Sequence, residues 1–171
     1  MKPLMLIAIV AIIAVTVVVT YDLNGHSLDL RDRQVVLVVT DSMDGDEHSY
    51  EIGSFPANTL VMIQHLSEQE KHFLRVGDVA SYRENGTLVQ HRVVQVEDGY
   101  VYLHGDNNHS TERVMIEDID GKVVGTNWVL GHILAFISSN FLVFLCILFA
   151  IGAVAVVYAV FSEGKKEVTA E

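Results

Sequence analysis

The chain has 171 residues, enough for one ordinary domain, and half of them are hydrophobic. It carries 22 acidic and 11 basic residues, which gives a formal net charge of −11. Nucleic acids and anionic lipid surfaces bind basic protein surfaces, so this charge excludes nucleic acid as a partner and excludes docking of the polar part on anionic lipid. The single cysteine, Cys146, excludes an intrachain disulfide.

The N-terminal segment is apolar from Pro3 to Tyr21 and contains no charged residue. Its length is close to the roughly 20 residues that cross a bilayer as a helix. A cleaved secretory signal peptide would also start near a basic residue such as Lys2, but the small-x-small cleavage pattern is missing after the apolar run. The sequence therefore predicts a first transmembrane helix over residues 1–21.

The central residues, 22–132, are predicted to form one small antiparallel β domain. Residues 34–40 and 59–64 are rich in β-branched side chains, which are typical of strands. Asn85-Gly86 and Asp98-Gly99 are residue pairs typical of two-residue hairpin turns. The fold class expected from this pattern is mostly β.

Two polar segments interrupt the predicted strands. Residues 67–72 are interpreted as either a short helix or a loop. Residues 44–58 form a long, partly acidic excursion after the first strand. This excursion could be a lid, a wall of a substrate groove or a partner contact, but we interpret it as an inert insertion.

The C-terminal part contains a second long apolar segment, which predicts a second transmembrane helix over residues 133–162 and a tail over residues 163–171. Lys2 lies just outside the first span, and Lys165 and Lys166 lie just outside the second. Basic residues favour the cytoplasmic side, so both ends are predicted to be cytoplasmic. The chain is therefore expected to be a multi-pass protein of the cell membrane with an extracytoplasmic β domain.

Ser42 is the first residue that could carry chemistry. It follows the first predicted strand, and alternation along that strand puts it on the same face as Thr40. A strand end fixes a side chain while the following loop leaves it accessible, which suits a nucleophile. The structural interpretation is that Ser42 begins a turn, as serines at strand ends commonly do.

His91 and Asp106 are candidates for a general base and its acid partner. His91 lies among apolar strand residues, where a histidine is usually structural, but a neutral imidazole there could accept a serine proton. Asp106 lies in a turn-rich segment, where it could bond to its own backbone or to the second imidazole N–H. His104, Asp106 and His109 could also form a metal site, but their spacing matches no known ligand pattern. The sequence therefore predicts neither a metal nor another cofactor.

Four short segments, taken together in their order along the chain, resemble type I signal peptidases of the archaeal and endoplasmic-reticulum branch. They are VVTDSM (38–43), VGDVASY (76–82), LVQHRVV (88–94) and LHGDNN (103–108), and GKVVG (121–125) is a weaker fifth. The resemblance implies a β catalytic domain of signal-peptidase type between N- and C-terminal transmembrane helices. It also implies a serine endopeptidase that removes signal peptides from exported preproteins.

The resemblance implies a role for each of three residues. Ser42 corresponds to the nucleophile, His91 to the general base and Asp106 to the acid, and the bacterial branch uses a lysine in place of the histidine. The backbone N–H of Ser42 and the Thr40 hydroxyl would hold the oxyanion. The implied partners are secretory preproteins, the lipid membrane and the protein-export machinery.

The sequence departs from this family at two places. The family has a second aspartate six residues beyond the first, and Glu112 stands at that position. We therefore expect the acid to be Asp106 first and Glu112 second, and Asp118 and Asp120 are weaker candidates. The family also has a proline soon after the nucleophile, whereas here Pro56 follows most of the excursion.

Two other functions stay open on this evidence. The β domain could be a catalytically silent membrane-anchored module that binds a partner, with Ser42 and His91 as structural residues. The chain could instead be a membrane protease dedicated to one substrate class, such as a pilin-like precursor. Only the joint presence of Ser42, His91 and Asp106 favours catalysis over the silent module.

Overall fold

A computed structural model describes residues 27–47 and 49–168. The predicted first membrane helix, residues 1–21, lies outside the described residues. Contacts within the chain set apart a compact unit, Asn24–Ala135, which contains the whole β domain.

Eight strands form a single sheet in the described part of the chain, and every pair of neighbours is antiparallel. The strands are β1 (Ser27–Leu30), β2 (Arg33–Leu37), β3 (Leu60–His65), β4 (Val79–Glu84), β5 (Thr87–Glu97), β6 (Tyr100–His104), β7 (Thr111–Met115) and β8 (Ile119–Asn127). Their order in the sheet is β1-β2-β3-β8-β4-β5-β6-β7. The prediction of a mostly antiparallel β fold is confirmed.

Tight turns set the register of the strands that carry the candidate base. Asn85 and Gly86 have φ angles of 49° and 83°, the left-handed values that a two-residue hairpin loop needs. They join β4 to β5 and bring Ala80 opposite His91. Gly99, with a φ of 79°, turns the chain from β5 into β6. Both predicted hairpins are present.

Side-chain alternation gives the sheet two separate apolar clusters. The first contains Val36, Val38, Met43, Phe55, Val61, Ile63, Val79 and Val123, and the second contains Leu74, Ala80, Tyr82, Val93, Val101, Leu103, Ile116 and Ile119. Full burial of one such aliphatic side chain stabilises the fold by about 1.5–3 kcal/mol. Consecutive residues point to opposite faces, so His91 belongs to the side of the second cluster and Arg92 to the side of the first.

Three helices are described. The first, α1 (Glu68–Lys71), begins with a capping box, in which the Ser67 hydroxyl accepts the Glu70 N–H and the Glu70 carboxylate accepts the Ser67 N–H. This settles the predicted choice between a short helix and a loop in favour of the helix. A 3₁₀ turn, Ile116–Asp118, precedes β8. Two longer helices follow β8, namely α2 (Trp128–Ser139) and α3 (Phe141–Val168).

The second predicted membrane helix, residues 133–162, falls on parts of α2 and α3. Among the described residues, no single helix is both long and apolar enough to cross a membrane. Trp128–Ser139 and Phe141–Val154 meet the length and composition criteria together, as a bent pair.

Candidate active site

Ser42 lies in the loop that follows β2 and is partly buried. Its hydroxyl oxygen is 3.3 Å from the hydroxyl oxygen of Thr40, the residue that strand alternation predicts beside it. Asn107 holds the backbone of this loop, because its N–H donates to the Ser42 carbonyl at 2.9 Å and its Nδ2 donates to the Asp41 carbonyl at 3.2 Å. The candidate nucleophile is therefore fixed by the turn that follows β6.

His91 lies in the middle of β5 and is buried, with 4 % of its surface exposed. Its Nδ1 is 3.3 Å from Oε2 of Glu112 on β7 and 3.2 Å from the hydroxyl of Tyr82 on β4. The Tyr82 hydroxyl also donates to the same Glu112 oxygen. Three strands thus bring an imidazole, a carboxylate and a phenol into mutual contact.

These contacts determine which nitrogen of a neutral His91 carries the proton. The Tyr82 hydroxyl gives its hydrogen to Glu112, and a carboxylate only accepts, so neither group offers a hydrogen to Nδ1. Nδ1 must therefore be the donor, which leaves Nε2 as the acceptor. The side-chain Nδ2 of Asn108 lies 3.4 Å from Nε2 and donates to it. His91 is thus in the tautomer that a general base needs.

Tyr82 is held in its protonated form by its surroundings. Only 4 % of the residue is exposed, and burial, together with the hydrogen bond to Glu112, raises the pKa of Tyr82 well above its usual value of 10.0. A phenol with a raised pKa keeps its hydrogen at neutral pH. Tyr82 is therefore a permanent hydrogen-bond donor to Glu112.

Asp106 has different partners. Arg92 donates two hydrogen bonds to its carboxylate, from Nε to Oδ1 at 2.8 Å and from NH2 to Oδ2 at 2.5 Å. The Ser54 hydroxyl also donates to Oδ2, at 2.6 Å. Both charged side chains are buried, with exposed fractions of 3 % for Arg92 and 2 % for Asp106. The expected contact between Asp106 and His91 is thus corrected: a guanidinium and a hydroxyl occupy the Asp106 oxygens, and the carboxylate beside His91 is Glu112.

The excursion, residues 44–58, packs onto this buried ion pair. Arg92 donates through NH1 to the Ile52 carbonyl at 2.8 Å, and its guanidinium carbon lies 5.0 Å from the centre of the Tyr50 ring. The hydroxyl of Ser54, which binds Asp106, also accepts a backbone N–H within the excursion at 3.0 Å. The excursion is therefore attached to the domain by specific polar contacts.

The turn after β6 also connects the serine loop to the histidine. No hydrogen bond joins Ser42 directly to His91 within the described ranges. A Cβ on Gly105 would lie 2.7 Å from the Ser42 carbonyl oxygen and 2.6 Å from Asn108 Nδ2, so the close approach of these groups needs a glycine. Because Asn108 Nδ2 in turn contacts His91 Nε2, the serine loop and the histidine both pack against this one turn.

The two weaker acid candidates, Asp118 and Asp120, line a groove of about 830 Å³ beside Glu112. Asp120 lies 3.3 Å from Nε of Arg83, with both side chains partly exposed. No hydrogen bond to His91 is described for either aspartate. The structure therefore brings only one of the four acid candidates to the imidazole.

Two of the three residues considered for a metal site have other partners. Asp106 is paired with Arg92, and Nδ1 of His104 lies 3.0 Å from the Ser110 carbonyl oxygen. In the part of the chain that the structure describes, no group of three or more His, Cys, Asp or Glu side chains is arranged to hold a metal ion.

Three residues that contact the candidate site have no role predicted from the sequence: Tyr82, Arg92 and Ser54. The position of Tyr82 could have been inferred from the Asn85-Gly86 turn. A two-residue loop fixes the pairing of β4 with β5 and so puts Tyr82 on the same face as His91. A charged residue inside an apolar strand indicates a buried partner, which is a signal for Arg92. For Ser54 we find no signal in the sequence.

Comparison with known proteins yields no assignment, since no protein-family model matches the chain and no curated protein matches it either. The resemblance to type I signal peptidases therefore rests on the five short segments and their order along the chain.

Proposed function

We propose that this chain is a membrane-anchored serine endopeptidase that removes signal peptides from secretory preproteins, with Ser42 as the nucleophile and His91 as the general base. One observation carries the proposal. His91 is a buried imidazole whose Nδ1–H faces a carboxylate and whose Nε2 accepts from Asn108, a residue of the turn that packs against the serine loop. A catalytic imidazole needs this division of roles between its two nitrogens.

The acid partner in this proposal is Glu112. Its Oε2 lies 3.3 Å from His91 Nδ1. No Lys or Arg side chain is among the described hydrogen-bond partners of this carboxylate. Its negative charge would stabilise the imidazolium that forms when His91 takes up a proton. Asp106, whose charge is already matched by Arg92, has only a structural part in the proposal, in the turn that packs against the serine loop.

In the proposed reaction, the Ser42 hydroxyl oxygen forms a bond with the carbonyl carbon of the scissile peptide while His91 Nε2 takes the hydroxyl proton. The carbon–nitrogen bond then breaks, and Nε2–H gives that proton to the leaving amine. A water molecule hydrolyses the resulting Ser42 ester by the same proton transfers in reverse. General acid–base help of this kind contributes about 10²–10⁴ in rate.

The described arrangement is a resting state of such a site. The Ser42 hydroxyl is bonded to Thr40, and Nε2 is bonded to Asn108. In the proposed reaction both contacts are exchanged for a contact between the Ser42 hydroxyl and Nε2, and catalytic hydrogen bonds commonly form only with substrate bound. The freed Thr40 hydroxyl can then donate to the oxyanion together with the Ser42 N–H.

The substrate class in the proposal comes from the resemblance. A membrane anchor would hold an extracytoplasmic active site near the outer surface of the bilayer, where the apolar core of a signal peptide ends. Shallow pockets would admit only small side chains before the cut by excluding larger ones. Preproteins, the lipid membrane and the export machinery are the partners that this function needs.

The test is cleavage of a secretory preprotein by the full-length chain in detergent or lipid. Ser42→Ala and His91→Ala are each expected to lower the cleavage rate at least about 10²-fold. Ser49→Ala, at an exposed serine of the excursion, is the matched control and should cleave like the wild type. Equal cleavage by all four proteins, or cleavage by none, contradicts the proposal and leaves the partner-binding module as the function to pursue.

The same assay separates general from dedicated processing. Several preproteins with different signal peptides are compared with one pilin-like precursor. Cleavage of all of them supports a general signal peptidase, whereas cleavage of the pilin-like precursor alone supports a dedicated processing protease.

A further inference from the structure

The hydroxyl of Tyr82 contacts both His91 and Glu112, but the proposed mechanism gives it no role. Tyr82 lies on β4, His91 on the neighbouring β5, and Glu112 on β7. Neighbouring strands lie about 4.8 Å apart, so Glu112 has to reach across β6, over about 10 Å between backbones, to meet His91. The tyrosine reaches the same point from the opposite side.

We propose that Tyr82 is a positioning residue of the active site: its hydroxyl holds the Glu112 carboxylate against His91 Nδ1 and keeps the imidazole proton on that nitrogen. This inference rests on the proposed function, because positioning has a catalytic effect only if His91 is the general base. It assigns to Tyr82 a role that no segment of the family resemblance implied.

Glu112 needs such an anchor because of its length and exposure. Its side chain has three rotatable bonds and is 31 % exposed, so water competes for its carboxylate. Its described hydrogen-bond partners are His91 and Tyr82. The Tyr82 ring is packed into the second apolar cluster and has only two rotatable bonds before the ring ends, so its hydroxyl is a fixed donor.

The position of the proton on His91 follows from the same hydroxyl. A neutral imidazole has two tautomers, and only the Nδ1–H form leaves Nε2 free to accept the serine proton. The Tyr82 oxygen and the Glu112 oxygen both accept from Nδ1, at 3.2 and 3.3 Å. Without the hydroxyl, one acceptor disappears and the other is released to water, so part of the His91 population would carry its proton on Nε2.

The neighbouring strand provides a matched control. The hydroxyl of Tyr102 on β6 donates to Oε2 of Glu97 at 3.0 Å, which is also a tyrosine–glutamate bond. Glu97 is exposed and Tyr102 contacts no residue of the candidate site through this bond. Tyr102→Phe therefore removes the same kind of bond without touching His91.

The first readout is steady-state cleavage of a preprotein by full-length Tyr82→Phe and Tyr102→Phe in detergent. Tyr82→Phe is expected to lower kcat about 10-fold, the effect of one hydrogen bond to a charged group, and to leave KM unchanged. Tyr102→Phe is expected to match the wild type. The effects of Tyr82→Phe and Glu112→Gln on kcat should also be less than additive, because both remove the same contact.

The second readout does not depend on activity. The ¹⁵N spectrum of the His91 ring, identified by its loss in His91→Asn, reports which nitrogen is protonated. The wild type and Tyr102→Phe are expected to show the Nδ1–H tautomer, and Tyr82→Phe is expected to show a mixture with Nε2–H.

The outcomes separate the two proposals. If cleavage depends on Ser42 and His91 but Tyr82→Phe matches Tyr102→Phe in kcat and in the ring spectrum, the positioning role is wrong and the proposed function stands. If cleavage does not depend on Ser42, the proposed function fails and the positioning role fails with it. A 10-fold loss of kcat together with a mixed tautomer in Tyr82→Phe alone supports both.

Discussion

Asp106 and Glu112 are two carboxylates six residues apart that have opposite surroundings. Asp106 is 2 % exposed and is bound by the guanidinium of Arg92 and the hydroxyl of Ser54. Glu112 is 31 % exposed and meets His91 and Tyr82, neither of which carries a permanent positive charge. The charge of the first carboxylate is balanced by a guanidinium, whereas no cation is among the described hydrogen-bond partners of the second.

Strand alternation explains this difference. Arg92 and His91 are consecutive on β5, so one side chain points to each face of the sheet. The turn that carries Asp106 lies on the Arg92 side, whereas Glu112, on β7, lies on the His91 side. The sheet thus separates the buried Arg92–Asp106 ion pair from the His91–Glu112 contact that the proposed mechanism uses.

Removal of the Asp106 charge is expected to have the largest effect and to act on stability. Asp106→Asn leaves the buried Arg92 guanidinium without its counter-charge, which should lower the free energy of unfolding by about 3–5 kcal/mol. Thermal unfolding of the full-length chain in detergent measures this loss.

The control for this prediction is Asp120→Asn, whose partner Arg83 is exposed. Exposed ion pairs contribute about 0–1 kcal/mol, so this variant should unfold close to the wild type. Equal losses for the two variants would show that Asp106 has no special structural role.

Removal of the Glu112 charge tests the other carboxylate. Glu112→Gln keeps an oxygen near His91 but removes the charge that would stabilise the imidazolium in the proposed mechanism, so kcat for preprotein cleavage should fall roughly 10²-fold with little change in stability. Glu117→Gln, at an exposed position of the same groove, is the control and should keep full activity. If a folded Asp106→Asn protein loses more kcat than Glu112→Gln, Asp106 is the acid after all.

A smaller loss of stability is expected from the excursion. Ser54→Ala removes the 2.6 Å hydrogen bond to Asp106, and a hydrogen bond to a charged group contributes about 1.5 kcal/mol or more to the free energy of unfolding. The control is Ser49→Ala, whose hydroxyl is 3.4 Å from an exposed Glu47 oxygen. If both variants unfold at the wild-type temperature, the excursion does not support the buried pair.

The smallest expected effect is on alkaline stability. Burial and Glu112 raise the pKa of Tyr82 in the folded protein above its unfolded value of about 10. The folded protein therefore holds the Tyr82 proton more tightly than the unfolded chain does. The resulting stabilisation is complete below about pH 10 and is lost as the pH rises towards the folded pKa. The unfolding temperature of Tyr82→Phe should therefore fall less steeply above pH 10 than that of the wild type, and identical slopes would contradict the buried contact.

Local properties of the sequence account for most of the β domain. The runs of β-branched residues, the Asn85-Gly86 turn and the glycine turn at Gly99 act over a few residues, so β2 to β6 and both hairpins could be predicted, whereas β1, β7 and β8 were not. Ser42 and His91 were singled out by their strand positions and by the resemblance of the surrounding segments. Neither signal depends on knowing which distant strands are neighbours.

The partners of these residues depend on the tertiary structure. Glu112 is 21 residues from His91 in the chain, and their contact exists because β7 lies two strands from β5 in the sheet. The partner of Asp106 depends on whether its turn lies on the Arg92 face or the His91 face, which the turn sequence does not specify. The sequence therefore determined the central strands and the two candidate side chains, Ser42 and His91, and only the packing of strands decided which carboxylate the histidine meets.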